Sequence, residues 1–420
     1  MRITADDVPG IVRGLRPSES DREHVRGAVA DIVEMVRSGG DDAIRRLTSR
    51  LDGIDLDDLR VPRQAISAAL DAVPPDVRDA ISTLAANLRR TSEASMPTPT
   101  RQVLPQGQII STRPMPVDRV GIYVPGGLAA YPSSAVMAIV PAQVAGVGGI
   151  AVCSPPAEHG VPDSIVLAAC ALLDVDEIYA IGGAQAVAAL ALGTETIQAV
   201  DVMVGPGNAY VEEAKRGLFG EVGIESLAGP SELVVLVDES APPEPIAWDL
   251  LAQAEHGSGA LSVVVAVDDS VLEAIAGYVG KDDAHITGLL ADSWDTAFAF
   301  VNAYAPEHLQ LAVADPQAAL GRVRHAGAIF LGAQSGTAFG DYIAGSNHIL
   351  PTGGRGRFSS GLAPGIFLRI QEIVEIPDGA VEELAGPLAA LARAEGLIAH
   401  ARSAEVRAES ITHPTRGAAT

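Results

Sequence analysis

A chain of 420 residues, 48% of them hydrophobic, carries enough apolar material for two or three packed domains and is not disordered over most of its length. Its 53 acidic and 29 basic side chains give a formal charge of −24, which argues against nucleic acid or an anionic membrane as a main partner. Two cysteines, Cys153 and Cys170, exclude a disulfide framework and a cysteine-rich zinc site, and read as buried thiols in a reducing compartment.

The N-terminus, MRITADDVPG, has no apolar run of the signal-peptide kind, so a cytoplasmic protein is expected. Asp21–Arg37 carries Val25, Ala28, Ile32, Val33 and Val36 at helical spacing and stops at Gly39-Gly40. Further helices are predicted over Asp41–Leu51 and Pro75–Ala94. Met96–Met115, with four prolines and little periodicity, reads as a connector. The character then changes. Val120–Val124, Gly149–Cys153, Glu177–Ile181 and Leu233–Val237 read as buried strands, with helices over Ser134–Ala145 and Ser164–Leu173. That alternation is the pattern of a parallel α/β sheet. The most apolar stretch, Ala135–Cys153, is broken by Pro141, Gln143 and glycines, so it reads as a buried helix and strand rather than a membrane span. A second α/β block follows, with helices over Pro245–His256 and Thr296–Ala303 and strands over Leu261–Val267, His308–Val313 and Ala328–Leu331. Gly332–Phe367 reads as loops over a site, and Gly379–Ser410 as a helical tail interrupted near Gly396.

The dinucleotide fingerprint G-x-G-x-x-G is absent, since Gly205-Pro206-Gly207-Asn208-Ala209-Tyr210 has Tyr210 where the third glycine would stand. The loops at Pro125–Gly127, Gly182–Gly183 and Gly205–Gly207 each follow a predicted strand. Their N–H groups suit phosphate, and plain tight turns fit equally. In LLAQAEHG, Gln253 and His256 share a helix face at i,i+3. A metal-ligand role and a helix-terminal imidazole beside the helix dipole both fit that pattern. In APEHL, Glu307 and His308 form an acid–base pair only at a strand end or bend, because neighbours in an extended strand point to opposite faces. GDYIAGSNH offers Asp341 to a metal and His348 to a substrate, or is an Asx-type loop. Glu395 and His400 flank Gly396. One Asp, one Gln and two His would complete a four-ligand site.

Taken in order, the blocks VGIYVPGG, AAYPSSAVM, IGGAQAVAALA, VGPGNAYV, AGPSE, LLAQAEH, APEHL, GDYIAGSNHILPTGG, RFSSGL and EGLIAH resemble the histidinol dehydrogenase family from Arg119 to about His400. The N-terminal helices resemble it loosely. The resemblance implies an α/β fold of two incomplete Rossmann-like domains with parallel-sheet cores. Residues 23–122 with 233–375 would carry zinc and the catalytic residues, and residues 123–232 would contact NAD. Residues 1–22 would form an N-terminal helical arm, and residues 376–420 a C-terminal helical tail exchanged in a homodimer.

The implied reaction oxidises L-histidinol to L-histidine through L-histidinaldehyde, in histidine biosynthesis, with zinc and NAD as cofactors. By motif position Gln253, His256, Asp341 and His400 would hold zinc. His308 would take the alcohol proton and Glu307 would activate water. Ser231, His348 and Glu395 would contact the substrate, and Tyr123, Gln185 and Asn208 would contact NAD. Glu395 and His400 would complete the partner's site.

Three departures from the family pattern stand out. GSGALSVVV after His256 is less acidic than usual. Leu128 replaces a small polar residue. Arg355 and Arg357 add positive charge to a loop near the expected site. The arginines read either as solvent-exposed loop charges or as the mark of an alternative, a related zinc/NAD dehydrogenase for another amino alcohol or a sulfonated diol. Glu395 and His348 favour histidinol, whose imidazole and ammonium need acidic or neutral partners.

Overall fold

The computed structural model describes residues 1–16, 19–126, 130–157, 159–227, 229–257, 259–279 and 285–412. Gly127, Leu128 and Ser258 lie outside the described residues. The chain forms two compact units, one from Met1–Met96 with Val117–Phe367, the other from Pro97–Pro116 with Leu368 onward.

The strands run in chain order as β1 (Arg2–Ile3), β2 (Thr100–Val103), β3 (Ile109–Pro116), β4 (Arg119–Tyr123), β5 (Gly149–Ser154), β6 (Ile178–Ala180) and β7 (Val202–Val204). They continue as β8 (Gly223–Ile224), β9 (Glu232–Val237), β10 (Leu261–Ala266), β11 (Ile286–Ala291), β12 (His308–Ala312), β13 (Ala328–Leu331) and β14 (Leu368–Glu375).

The larger unit holds two parallel sheets, in the orders β6-β5-β4-β7-β8 and β1-β11-β10-β9-β12-β13. The six-stranded sheet is buried on both faces. Leu236, Val263, Val265, Leu309 and Leu311 pack on one side, and Leu233, Val235, Val237, Val264 and Ala266 on the other. Strands covered on both faces need apolar residues at every position, so they stand out in sequence as unbroken runs. In the five-stranded sheet, Ala151, Cys153 and Met203 pack against Val29, Val36 and Ile44 of the N-terminal helices and Val187 of the 183–192 helix. The helices expected from sequence form, and others join them, among them Arg63–Ala72, Gly183–Leu192 and Ala209–Leu218. The helix over Glu19–Asp52 breaks at Gly40 (φ 48°, ψ −138°), in a conformation that glycine tolerates, and the Glu195 carboxylate accepts the N–H of Asp41 beyond the break.

The smaller unit corrects one expectation. Met96–Met115 is not a structureless connector, because β2 and β3 form an antiparallel pair, with β14 on the other side of β3. The helices Asp378–Ala394 and Ile398–Thr412 follow, joined near Gly396 (φ 80°) and packed through Ala389, Ala392 and Ala401.

Candidate active site

Two places in the larger unit gather the chemistry. The first is a cavity of about 1210 Å³ at the carboxyl ends of β4 to β7, where the order of the five-stranded sheet reverses. Open parallel sheets form a crevice at such a reversal, and nucleotides bind there. Tyr123, Gln185 and Asn208, three residues singled out from sequence, all line it. The Tyr123 hydroxyl accepts the N–H of Gly183 at 3.2 Å, and burial pushes its pKa up to about 12. Asn208 caps the helix Ala209–Leu218, its Oδ1 accepting from the N–H groups of Tyr210 and Val211. Gln185 is 1% exposed, donates weakly to Asp52, and keeps an unpaired Oε1.

The second place lies at the amino ends of β9 and β12. Crossover helices run antiparallel to their strands, so their C-termini return to this edge. Gln253 is in the last turn of the helix Pro243–Ala254, with His256 just beyond it. Asp341 is in the short helix Thr337–Tyr342 that follows β13.

Glu307 and His308 meet here. Ala305, left-handed at φ 50°, ends the preceding helix, and His308 opens β12, so Glu307 lies outside the regular alternation of the strand. Glu307 Oε2 accepts from Ser231 Oγ at 2.7 Å and from the Glu232 N–H at 2.8 Å. It lies 3.5 Å from His308 Nδ1. That nitrogen is also 3.2 Å from the Glu232 carbonyl, which needs a donor. Nδ1 therefore carries the hydrogen, and Nε2, 3.3 Å from Asp341 Oδ1, is the working nitrogen.

Burial opposes charge on His308, but Glu307 and Asp341 outweigh it and hold the imidazole pKa well above its ordinary value. Burial likewise opposes the Asp341 carboxylate, and the contact with His308 outweighs that and holds its pKa low. His348 Nδ1 binds the Asp341 carbonyl at 2.9 Å, and its Nε2 is 3.1 Å from Ser134 Oγ. Burial lowers its pKa. His256 Nδ1 lies 3.2 Å from the Gln253 carbonyl, and its ring is near enough for its charge to act on Asp341. Gln253 is 2% exposed with its Nε2 unpaired.

The structure thus brings together Ser231, His256, Glu307, His308, Asp341 and His348 at one edge of the sheet. Gln253 adds a buried amide beside His256. Glu395 and His400 belong to the smaller unit, where both are exposed. Arg355 is already occupied. It donates to Glu212 and to the Leu227 carbonyl, each at 2.7 Å. Sequence reasoning missed Glu232, whose main chain holds both Glu307 and His308, and Ser134. Both stand inside quoted blocks, AGPSE and AAYPSSAVM, but nothing in the sequence shows which residues they will face.

The sequence model of the histidinol dehydrogenase family matches residues 15–408. The chain belongs to the histidinol dehydrogenase family. It is 44% identical over 408 residues to the histidinol dehydrogenase of Geobacillus kaustophilus, covering 94% of this chain and 96% of that one. It is 42% identical over 418 residues to the histidinol dehydrogenase of Methanothermobacter thermautotrophicus, covering 96% and 98%. The crystal structure of histidinol dehydrogenase from Elizabethkingia anophelis superposes with a TM-score of 0.89 at 30% identity, covering 98% of both chains. Histidinol dehydrogenases are NAD-dependent, zinc-binding oxidoreductases. The expected α/β fold, with its parallel sheets and helical ends, is the fold observed. Among the described residues, no helix is long and apolar enough to cross a membrane.

Proposed function

We propose that this chain oxidises L-histidinol to L-histidine in two steps at the amino edge of β9 and β12. The meeting of Glu307, His308 and Asp341 there is the observation that carries the reading. In the first step the alcohol loses a hydride to NAD⁺ and a proton to the protein, giving aldehyde and NADH. In the second, water adds to the aldehyde, and the hydrate loses a hydride to a second NAD⁺ and its protons to the protein and solvent, giving the carboxylate.

The residues fit zinc. Among the described residues no three of His, Cys, Asp and Glu are gathered as a metal site. A set built on an amide and shared between chains is not of that kind. Gln253 has a buried amide, whose oxygen is the atom able to ligate a metal, beside His256, which has one ring nitrogen committed to a carbonyl, and that orients the other. Gln253, His256 and Asp341 would hold zinc, with His400 of a second copy as the fourth ligand in a homodimer. Bound zinc would supply a Lewis acid for the substrate oxygen and an anchor for its amine and imidazole.

The chain's own residues do the proton work. Were Asp341 a zinc ligand, its hold on the His308 proton would weaken, and Nε2, the ring nitrogen facing it, is the atom that would take the alcohol proton. Glu232 fixes that tautomer through its carbonyl. Glu307, steadied by Ser231 and the Glu232 N–H, is the base for the water. Burial of the pair excludes bulk water between the steps. His348 and the partner's Glu395 would contact the substrate. Tyr123, Gln185 and Asn208 would bind NAD in the cavity. The engagement of Arg355 with Glu212 gives no support to an anionic diol as substrate.

NADH yield from limiting L-histidinol, with metal analysis of the same sample, tests this. About two NADH per substrate and about one zinc per chain are expected. A yield of one, or full activity after complete removal of zinc, overturns it.

A further inference from the structure

Lys215 is one of only two lysines in the sequence, and it is 1% exposed. It sits on the helix Ala209–Leu218, under the turn that leads from β7 to Asn208. Its ammonium has three donors, and three acceptors meet it: the Gly205 carbonyl at 2.6 Å, and Glu225 Oε1 and Oε2 at 2.8 and 3.0 Å. Glu225 follows β8, whose register beside β7 brings its carboxylate to the same turn. Glu225 Oε1 also accepts the Gly205 N–H at 2.8 Å. One buried ion pair therefore takes up both the N–H and the C=O of a single glycine.

That glycine is at a demanding place. Gly205 has φ 121°, and a Cβ there would stand 2.0 Å from the Tyr123 carbonyl oxygen. Its backbone lies directly on that of Tyr123, and three residues later comes Asn208. Tyr123, Asn208 and Tyr210 line the cavity assigned to NAD. A buried ion pair is a weak source of stability, since apolar residues of equal volume often serve as well. Apolar residues here would leave the N–H and C=O of Gly205 buried without partners.

We propose that Lys215 and Glu225 are positioning residues for the cofactor, clamping the Gly205 peptide so that Asn208 and Tyr123 keep the geometry that receives NAD. The proposal rests on the assignment of the cavity to NAD. Neither residue touches the zinc or histidinol residues, so the clamp affects one substrate and spares the other.

The test uses the full-length, zinc-loaded enzyme with NAD and L-histidinol. The double variant Lys215→Met/Glu225→Gln removes both charges at nearly constant volume and keeps an acceptor for the Gly205 N–H. The KM for NAD should rise about tenfold, with kcat at saturating NAD nearly unchanged. Zinc content and L-histidinol binding measured without NAD should be unchanged. An unchanged KM for NAD in the folded variant overturns the proposal, as does an equal loss in every parameter. If the double variant does not fold, Glu225→Gln alone serves. It should raise the KM for NAD about threefold, and no rise overturns the proposal. Ala157→Trp adds bulk to the cavity lining and separates the two ideas. If it leaves the KM for NAD unchanged, the cavity assignment falls and the clamp with it. If it raises that KM while the clamp variants do not, the clamp alone is wrong.

Discussion

Glu307 Oε2 and His308 Nδ1 lie 3.5 Å apart although the two residues are neighbours in sequence. Two features allow it. The chain enters β12 from the left-handed turn at Ala305, and Glu232 on the adjacent strand takes both side chains through its own N–H and carbonyl. The pair is therefore held by sheet register rather than by side-chain packing alone.

Glu307→Gln keeps an acceptor for Ser231 and the Glu232 N–H but removes the base. Oxidation of L-histidinaldehyde should fall roughly 10²–10⁴-fold, and alcohol oxidation much less. Single-turnover assays started from each substrate separate the two steps. Equal losses would show that Glu307 does not activate the water.

His256→Ala deletes an exposed side chain at a helix end, so the fold should be retained by circular dichroism. Zinc and activity should disappear together, with NADH formation down by more than about 100-fold. Retention of zinc at one per chain, with activity lost, would remove His256 from the ligand set.

The parts legible in sequence and the parts that were not differ for a physical reason. Strands β4, β5, β9, β10 and β12 are buried on both faces, and their continuous apolar runs disclose them. The pair β2 and β3 is exposed or half-exposed throughout, so it has no apolar face and no period to read. β14 escaped notice for the same reason. Motif spacing identified Gln253 with His256, and Glu307 with His308, because local neighbours carry those patterns. Glu232 could not be found that way. Its hydrogen bonds to Glu307 and His308 span 75 and 76 residues and exist only once β9 pairs with β12. The rule that ligands bind at the carboxyl edge of a parallel sheet locates the cavity proposed for NAD, but it misses Glu307 and His308, which lie at the amino edge of the other sheet.

The side chain of Glu232 gives a pH dependence. Burial, and then the charge of Glu307, push its pKa up to about 7 from 4.5. Between these values the folded state holds a proton that the unfolded state has lost. The contribution is therefore full below about pH 4.5 and is lost as pH rises through about 7, a change of roughly 3 kcal/mol at most. Glu232→Gln stays neutral and escapes the loss. Its stability relative to the unsubstituted protein should rise between pH 5 and pH 8, measured by urea unfolding at each pH. A difference that does not change with pH would show that Glu232 is ionised throughout.

The last prediction concerns the smaller unit. Glu395 and His400 are exposed on its helices, whereas Gln253, His256 and Asp341 sit in the larger unit. If the tail of one chain completes the site of another, a chain truncated after Gly379 and a His256→Ala chain are each inactive alone and should complement when mixed. In a mixed dimer the truncated chain keeps His256 and receives the intact tail, while the other site lacks both. Random pairing of equal amounts makes half the dimers mixed, each with one working site. Activity should therefore recover to about a quarter of that of the same total amount of unsubstituted chain. Recovery should require subunit exchange, and so should grow with time after mixing. No recovery from two folded, exchanging chains would mean that each chain supplies its own His400.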